Sequence, residues 1–176
     1  SMGADFNKFG FSYSGAMNVV KNIINTEYLW NQVRVKGGAY GSGCTMMRNG
    51  SVYTYSYRDP NVNKSYEVFK NVGNYLSEID MDQKHLNRFI IGAVNVEDAP
   101  LKNNRINSIV LRRHYNGVTQ ERLDLRREEM LSVSINDIRE VGQELTTAME
   151  NIVMSTVSDQ TSIEKSELFK NIIVVK

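Results

Sequence analysis

Cysteine is nearly absent: Cys44 stands alone among 176 residues. One thiol excludes an intramolecular disulfide framework and a cysteine-built zinc site, and it fits a reducing compartment, so localisation stays open with the cytoplasm the nearer fit. Histidine is almost as scarce. His85 and His114 are the two present, and neither opens a His-Glu-x-x-His or His-x-x-Glu-His run, so no hydrolytic metal motif exists and each reads as an ordinary surface or partly packed histidine. Charge of one sign is missing too, since 21 Lys+Arg face 20 Asp+Glu for a formal charge of +1. That balance does not by itself predict the broad basic footprint of a nucleic-acid or acidic-membrane binder. No apolar run approaches the roughly 20 residues of a membrane span, and the start lacks the basic flank and apolar centre of a signal peptide. Neither nucleic acid nor membrane is an expected partner.

What is present suffices for one self-standing core, because chains near 150 residues bury about 70% of their unfolded surface. Residues 15–33 predict a helix, with Ala16, Val19, Val20, Ile23, Ile24, Leu29, Trp30 and Val33 at mostly three- and four-residue steps, Ser14 as N-cap and Gly37-Gly38 as the stop. Residues 39–47 and 51–58 predict a β-hairpin around Arg48-Asn49-Gly50, the Asn-Gly pair favouring a type I′ turn, with Asp59-Pro60-Asn61 closing it. A helix follows over 64–78. Asp80 with Gln83 suggests a capping box for the next, which carries Leu86, Phe89, Ile90 and Ala93 until Pro100. Further helices are expected over 102–115 and 119–130, and from the Ser134/Asp137 capping box through Leu145. The mixed charges of Glu121–Glu129 read as a solvated helix face. Two short runs, 151–156 and 172–175, predict strands around a capped helix at Thr161–Glu164. With a little strand at the start, the order points to an α+β two-layer sandwich, a mainly antiparallel sheet packed against helices.

The glycines of Lys36–Gly43 do not make a phosphate loop: Met46 stands where a third glycine belongs, and the segment runs into a strand. Gly37-Gly38 reads as a helix C-cap, and Gly41 and Gly43 mark a close approach to the strand backbone. A Cys44–histidine pair is formally open, although a small buried thiol is the better reading. No complete catalytic constellation exists. Arg34 and Tyr40 admit two readings. Five fixed donors and a hydroxyl could grip the carbonyls of an extended peptide at a strand edge; alternatively, Arg34 complements the helix dipole and Tyr40 packs across the hairpin.

Ser14–Met17, the long block Tyr28-Leu-Trp-Asn-Gln-Val-Arg-Val-Lys-Gly-Gly-Ala-Tyr-Gly41, Ser56–Asn61, Val94–Pro100 and Glu167–Lys170 together resemble the C-terminal domain of the presequence protease branch of the pitrilysin-like (M16) zinc metalloproteases. The resemblance covers nearly the whole chain. It implies a four-domain peptidase closing a chamber from two halves, with zinc held by a His-x-x-Glu-His motif of the absent N-terminal half and none held by this chain. It further implies that Arg34 and Tyr40 bind the peptide substrate, while no residue here is catalytic. The expected partners are therefore the peptide and the N-terminal half of the same polypeptide. The alternative is a non-catalytic M16-like scaffold for peptide binding or assembly. Ser1-Met2-Gly3 reads as a leftover of cloning ahead of one domain over 4–176. The family's strand sequence before this point is expected to be missing, leaving a truncated sheet prone to self-association.

Overall fold

Alternation along two strands sets the frame. In Gly41–Met46 (β2) and Ser51–Tyr57 (β3), Cys44, Met46, Val52 and Thr54 turn to a buried face, whereas Tyr55 and Tyr57 turn to an exposed one. The computed structural model describes residues 1–174. The hairpin register pairs Gly41 with Tyr57, Gly43 with Tyr55 and Met46 with Val52. Met2–Asp5 (β1) joins the far side of β3, and Val153–Met154 (β4) pairs with β1, all antiparallel, in the order β2-β3-β1-β4. The hairpin turn differs from the expected type I′, which needs a positive φ at both central residues. Only Gly50 takes one here, at 92°, with its N–H donating to the Met47 carbonyl at 3.1 Å. Asn49 keeps a negative φ because Gly50 alone absorbs the reversal, beside Asp5 and Asn7, where a Cβ would collide.

One face of this sheet is covered by the helix expected over 15–33, which has two parts. Gly15–Ile23 (α1) is α-helical, and Ile24–Val35 continues as a π-helical segment. Its buried stripe of Met17, Val20, Ile23, Ile24, Leu29 and Val33 holds the two layers together. Asn25 reinforces the join: its side-chain oxygen accepts the Cys44 N–H at 2.6 Å and its amide donates to the Cys44 carbonyl at 3.1 Å. At that point the free edge of β2 is closed by the helix layer rather than by another strand.

The rest of the layer is a set of short helices. The helix expected over 64–78 is broken at Asn71 (φ −88°, ψ 4°) into Val62–Lys70 (α2) and Val72–Ser77 (α3). Gln83–Glu97 (α4) is capped by Asp82, not Asp80, through the His85 N–H at 2.7 Å. Asn103–Tyr115 (α5) buries none of its residues. Gln120–Leu131 (α6) is less solvated than its charges suggest. Glu129 accepts the Gly15 N–H at 2.6 Å, Arg126 lies 4.0 Å from Glu97, and Arg127 pairs with Asp98, so the charged face ties α6 to α1 and the end of α4. Ile135–Ala148 (α7) carries the expected Ser134/Asp137 capping box and crosses α3 where Gly73 and Gly142 meet. Gln160–Ser166 (α8) is capped by Asp159. The expected strand over 172–175 is absent from its described part: 172–174 form no strand, and Val175 lies outside the described residues. An α+β sandwich results, with one sheet face covered and the other open.

Candidate functional site

Arg34 and Tyr40 sit on opposite sides of one tight reversal, and each link between them is fixed. The Gly38 N–H donates to the Arg34 carbonyl at 2.9 Å and the Ala39 N–H to the Val33 carbonyl at 3.1 Å. Gly38 takes φ 79°, the left-handed geometry that glycine adopts without strain. The Asn61 amide donates to the Gly37 carbonyl at 2.7 Å, and the Tyr40 N–H donates to the Arg58 carbonyl at 3.3 Å. The Asp59-Pro60-Asn61 turn therefore does more than close the hairpin. It braces the helix-to-strand turn that carries both residues.

The side chains point outward. Arg34 is half-buried, its guanidinium 3.9 Å from the ring centroid of Trp30, which is 47% exposed. Tyr40 is 58% exposed, edge-on to Tyr57 at 5.4 Å, with the Arg58 guanidinium 5.4 Å above its ring. Tyr40 thus does pack against the hairpin, but with its ring and not its hydroxyl. The close approach expected at Gly41 and Gly43 comes from the hairpin's own aromatics: a Cβ at Gly41 would overlap the Tyr57 ring, and one at Gly43 the Tyr55 ring. Glycine opposite tyrosine lets each ring lie flat on the open sheet face beside the pair. Sequence reading missed Arg58 and Tyr57. The signal was there, in a cation directly after an aromatic strand and before a proline turn, but its target depends on register.

Other candidate chemistry is dispersed. Burial pushes the Cys44 thiol up to about 12 against the opposing charge of Lys21, so it stays a protonated core group and no nucleophile. His85 stacks on Phe89 beside Glu27 at 3.4 Å, and His114 lies against Tyr115 on α5. Among the described residues, no three His, Cys, Asp or Glu side chains come together as metal ligands. Among the described residues, no helix is long and apolar enough to cross a membrane.

Comparison with known proteins bears on this arrangement. The family model described as the PreP C-terminal domain matches residues 1–160. The chain is 32% identical to Protein HypA of Clostridium perfringens, over 97% of this chain and 18% of that protein. It is 33% identical to presequence protease 1, chloroplastic/mitochondrial, of Arabidopsis thaliana, over 92% of this chain and 16% of that protein. With the mitochondrial presequence protease of Kluyveromyces lactis the identity is 34%, over 77% and 14%. The chain spans less than a fifth of the length of these curated relatives.

Proposed function

Because the chain belongs to the PreP C-terminal domain family, in the presequence protease branch of the M16 peptidases, we propose that it is the substrate-contacting, non-catalytic domain of a zinc-dependent peptidase that degrades peptides. The observation that carries this reading is the pinned reversal between Arg34 and Tyr40, which directs a guanidinium and a phenol outward. Five N–H donors and one hydroxyl suit the carbonyls of an extended backbone, whose pattern is the same whatever the side chains. Donors fixed in advance can also strengthen their bonds as a carbonyl oxygen gains negative charge. The zinc implied by the family would be held elsewhere in the polypeptide. Asn25 already satisfies the β2 edge at Cys44, so the peptide would meet the strand's Tyr40 end.

The 176-residue chain alone is expected to cleave no unstructured fluorogenic peptide and to hold no stoichiometric zinc. The complete polypeptide is expected to cleave it, and Arg34→Ala and Tyr40→Phe to slow that cleavage, with Lys36→Ala as a neutral control. One tightly bound zinc per isolated chain together with peptidase activity would overturn the reading. So would full activity of both site variants, while no cleavage by the complete polypeptide is the result expected of a scaffold.

A further inference from the structure

The two outward groups share a mode of support that leaves their hydrogen-bonding atoms free. Among the described residues, the ion pairs are His85–Glu27, Arg126–Glu97 and Arg127–Asp98, and neither the Arg34 nor the Arg58 guanidinium takes part in an ion pair or a side-chain hydrogen bond. An aromatic face attracts a cation through its quadrupole and uses no N–H to do so. A carboxylate would hold Arg34 as firmly, but it would occupy the donors and cancel the charge that a peptide carbonyl needs. Trp30, one turn before Arg34, gives the guanidinium a surface at 3.9 Å and is itself 47% exposed.

Arg58 does the converse for Tyr40. Its guanidinium lies over the ring, and its carbonyl accepts the Tyr40 N–H, leaving the phenol oxygen free. Arg58 also takes φ 47°, a left-handed conformation that is unfavourable for a residue with a Cβ. Glycine would relieve that backbone, so the side chain persists there against a local conformational preference.

We infer that Trp30 and Arg58 are positioning residues, each fixing one peptide-contacting group, Arg34 or Tyr40, before a peptide arrives. The inference rests on the peptide-contact reading of that pair. Pre-ordering a long flexible side chain removes rotamer freedom in the free protein, so less is lost when the carbonyl binds.

Two measurements test it. In nitrogen–proton NMR spectra of the 176-residue chain, the Arg34 Nε–H resonance is expected to carry a ring-current shift that vanishes in Trp30→Leu and returns in Trp30→Phe. In the complete peptidase acting on an unstructured fluorogenic peptide, Trp30→Leu is expected to lower kcat/KM by about 3- to 30-fold and Trp30→Phe to restore most of it. Arg58→Gly is expected to lower it by about 2- to 5-fold while Tm holds or rises, with Arg58→Lys recovering activity. The deciding comparison is additivity: Trp30→Leu should add nothing in an Arg34→Ala background, nor Arg58→Gly in a Tyr40→Phe background. Additive losses, or losses that follow Tm, overturn the inference. If Arg34→Ala slows cleavage and Trp30→Leu does not, the inference falls and the peptide site stands. If Arg34→Ala and Tyr40→Phe are themselves silent, the peptide-contact reading falls and the inference with it.

Discussion

Tyr40→Phe and Arg34→Ala are each expected to lower kcat/KM of the complete peptidase by about 10²- to 10³-fold, the usual loss when one donor to a developing oxyanion is removed. Packing cannot supply a change of that size. Tyr40 is 58% exposed, and phenylalanine would keep the ring that meets Tyr57 and Arg58. Removing an exposed hydroxyl alters stability by about 0.5 kcal/mol at most, less than threefold in any equilibrium. Arg34 makes no ion pair among the described residues, so alanine breaks no buried network. Thermal unfolding and zinc content should therefore match the unmodified protein while cleavage falls. An activity loss that merely tracks a lowered Tm would assign the pair to structure alone.

Gly142→Val is expected to destabilise the chain by about 2–3 kcal/mol, lowering Tm by roughly 5–10 °C. A Cβ on Gly142 would lie 2.6 Å from the Ser77 nitrogen and 2.8 Å from the Leu76 Cβ, while one on Gly73 would meet the Gly142 carbonyl at 2.8 Å. The two glycines let α3 and α7 cross backbone against backbone. Those obstacles are main-chain atoms or groups close to them, so the helices must separate, loosening the packing around fully buried Leu76 on α3 and Ile138 and Leu145 on α7. The better helix propensity of a non-glycine residue offsets less than 1 kcal/mol of this. Gly92→Ala is the matched control. Its Cβ would meet only the end of the Asn22 side chain at 2.7 Å, which can swing away. Urea unfolding followed by circular dichroism separates the two, and equal midpoints for Gly142→Val and the unmodified chain would refute the close crossing.

The sequence was most legible where a local rule and the tertiary result agreed. The hairpin, the Ser134/Asp137 box and the buried stripe of α1 follow from residues within a few positions of each other. It was least legible where distant parts decided. Nothing in Ile24–Val35 announces π-helical winding, since i to i+5 bonding has no residue signature, nor that Asn25 and Leu29 would meet β2 from it. The spacing of Asp80 and Gln83 pointed to the wrong cap, since Asp82 accepts the His85 N–H and opens the helix two residues later. The run Ile172–Val174 has strand composition but finds no strand partner. Arg34 and Tyr40 were visible as residue types. Their supports were less so: Trp30 reaches Arg34 within one helical segment, but Arg58 reaches Tyr40 only after the hairpin register is in place.

Strand order carries a last consequence, for the time course of folding. The first strand in the chain lies inside the sheet, with β3 on one side and Val153–Met154 on the other. During refolding Met2 and Gly3 stay half-paired against β3 until Val153–Met154, distant in sequence, reaches their other side. The hairpin and successive helices can form meanwhile through short loops, whereas closing the β1–β4 pair bears the full entropy of a long one. The two layers should therefore mature on different clocks. Pulse-labelling hydrogen exchange during refolding should protect the amides of β2 and β3 before those that pair β1 with β4, and simultaneous protection would show that the sheet closes in one step.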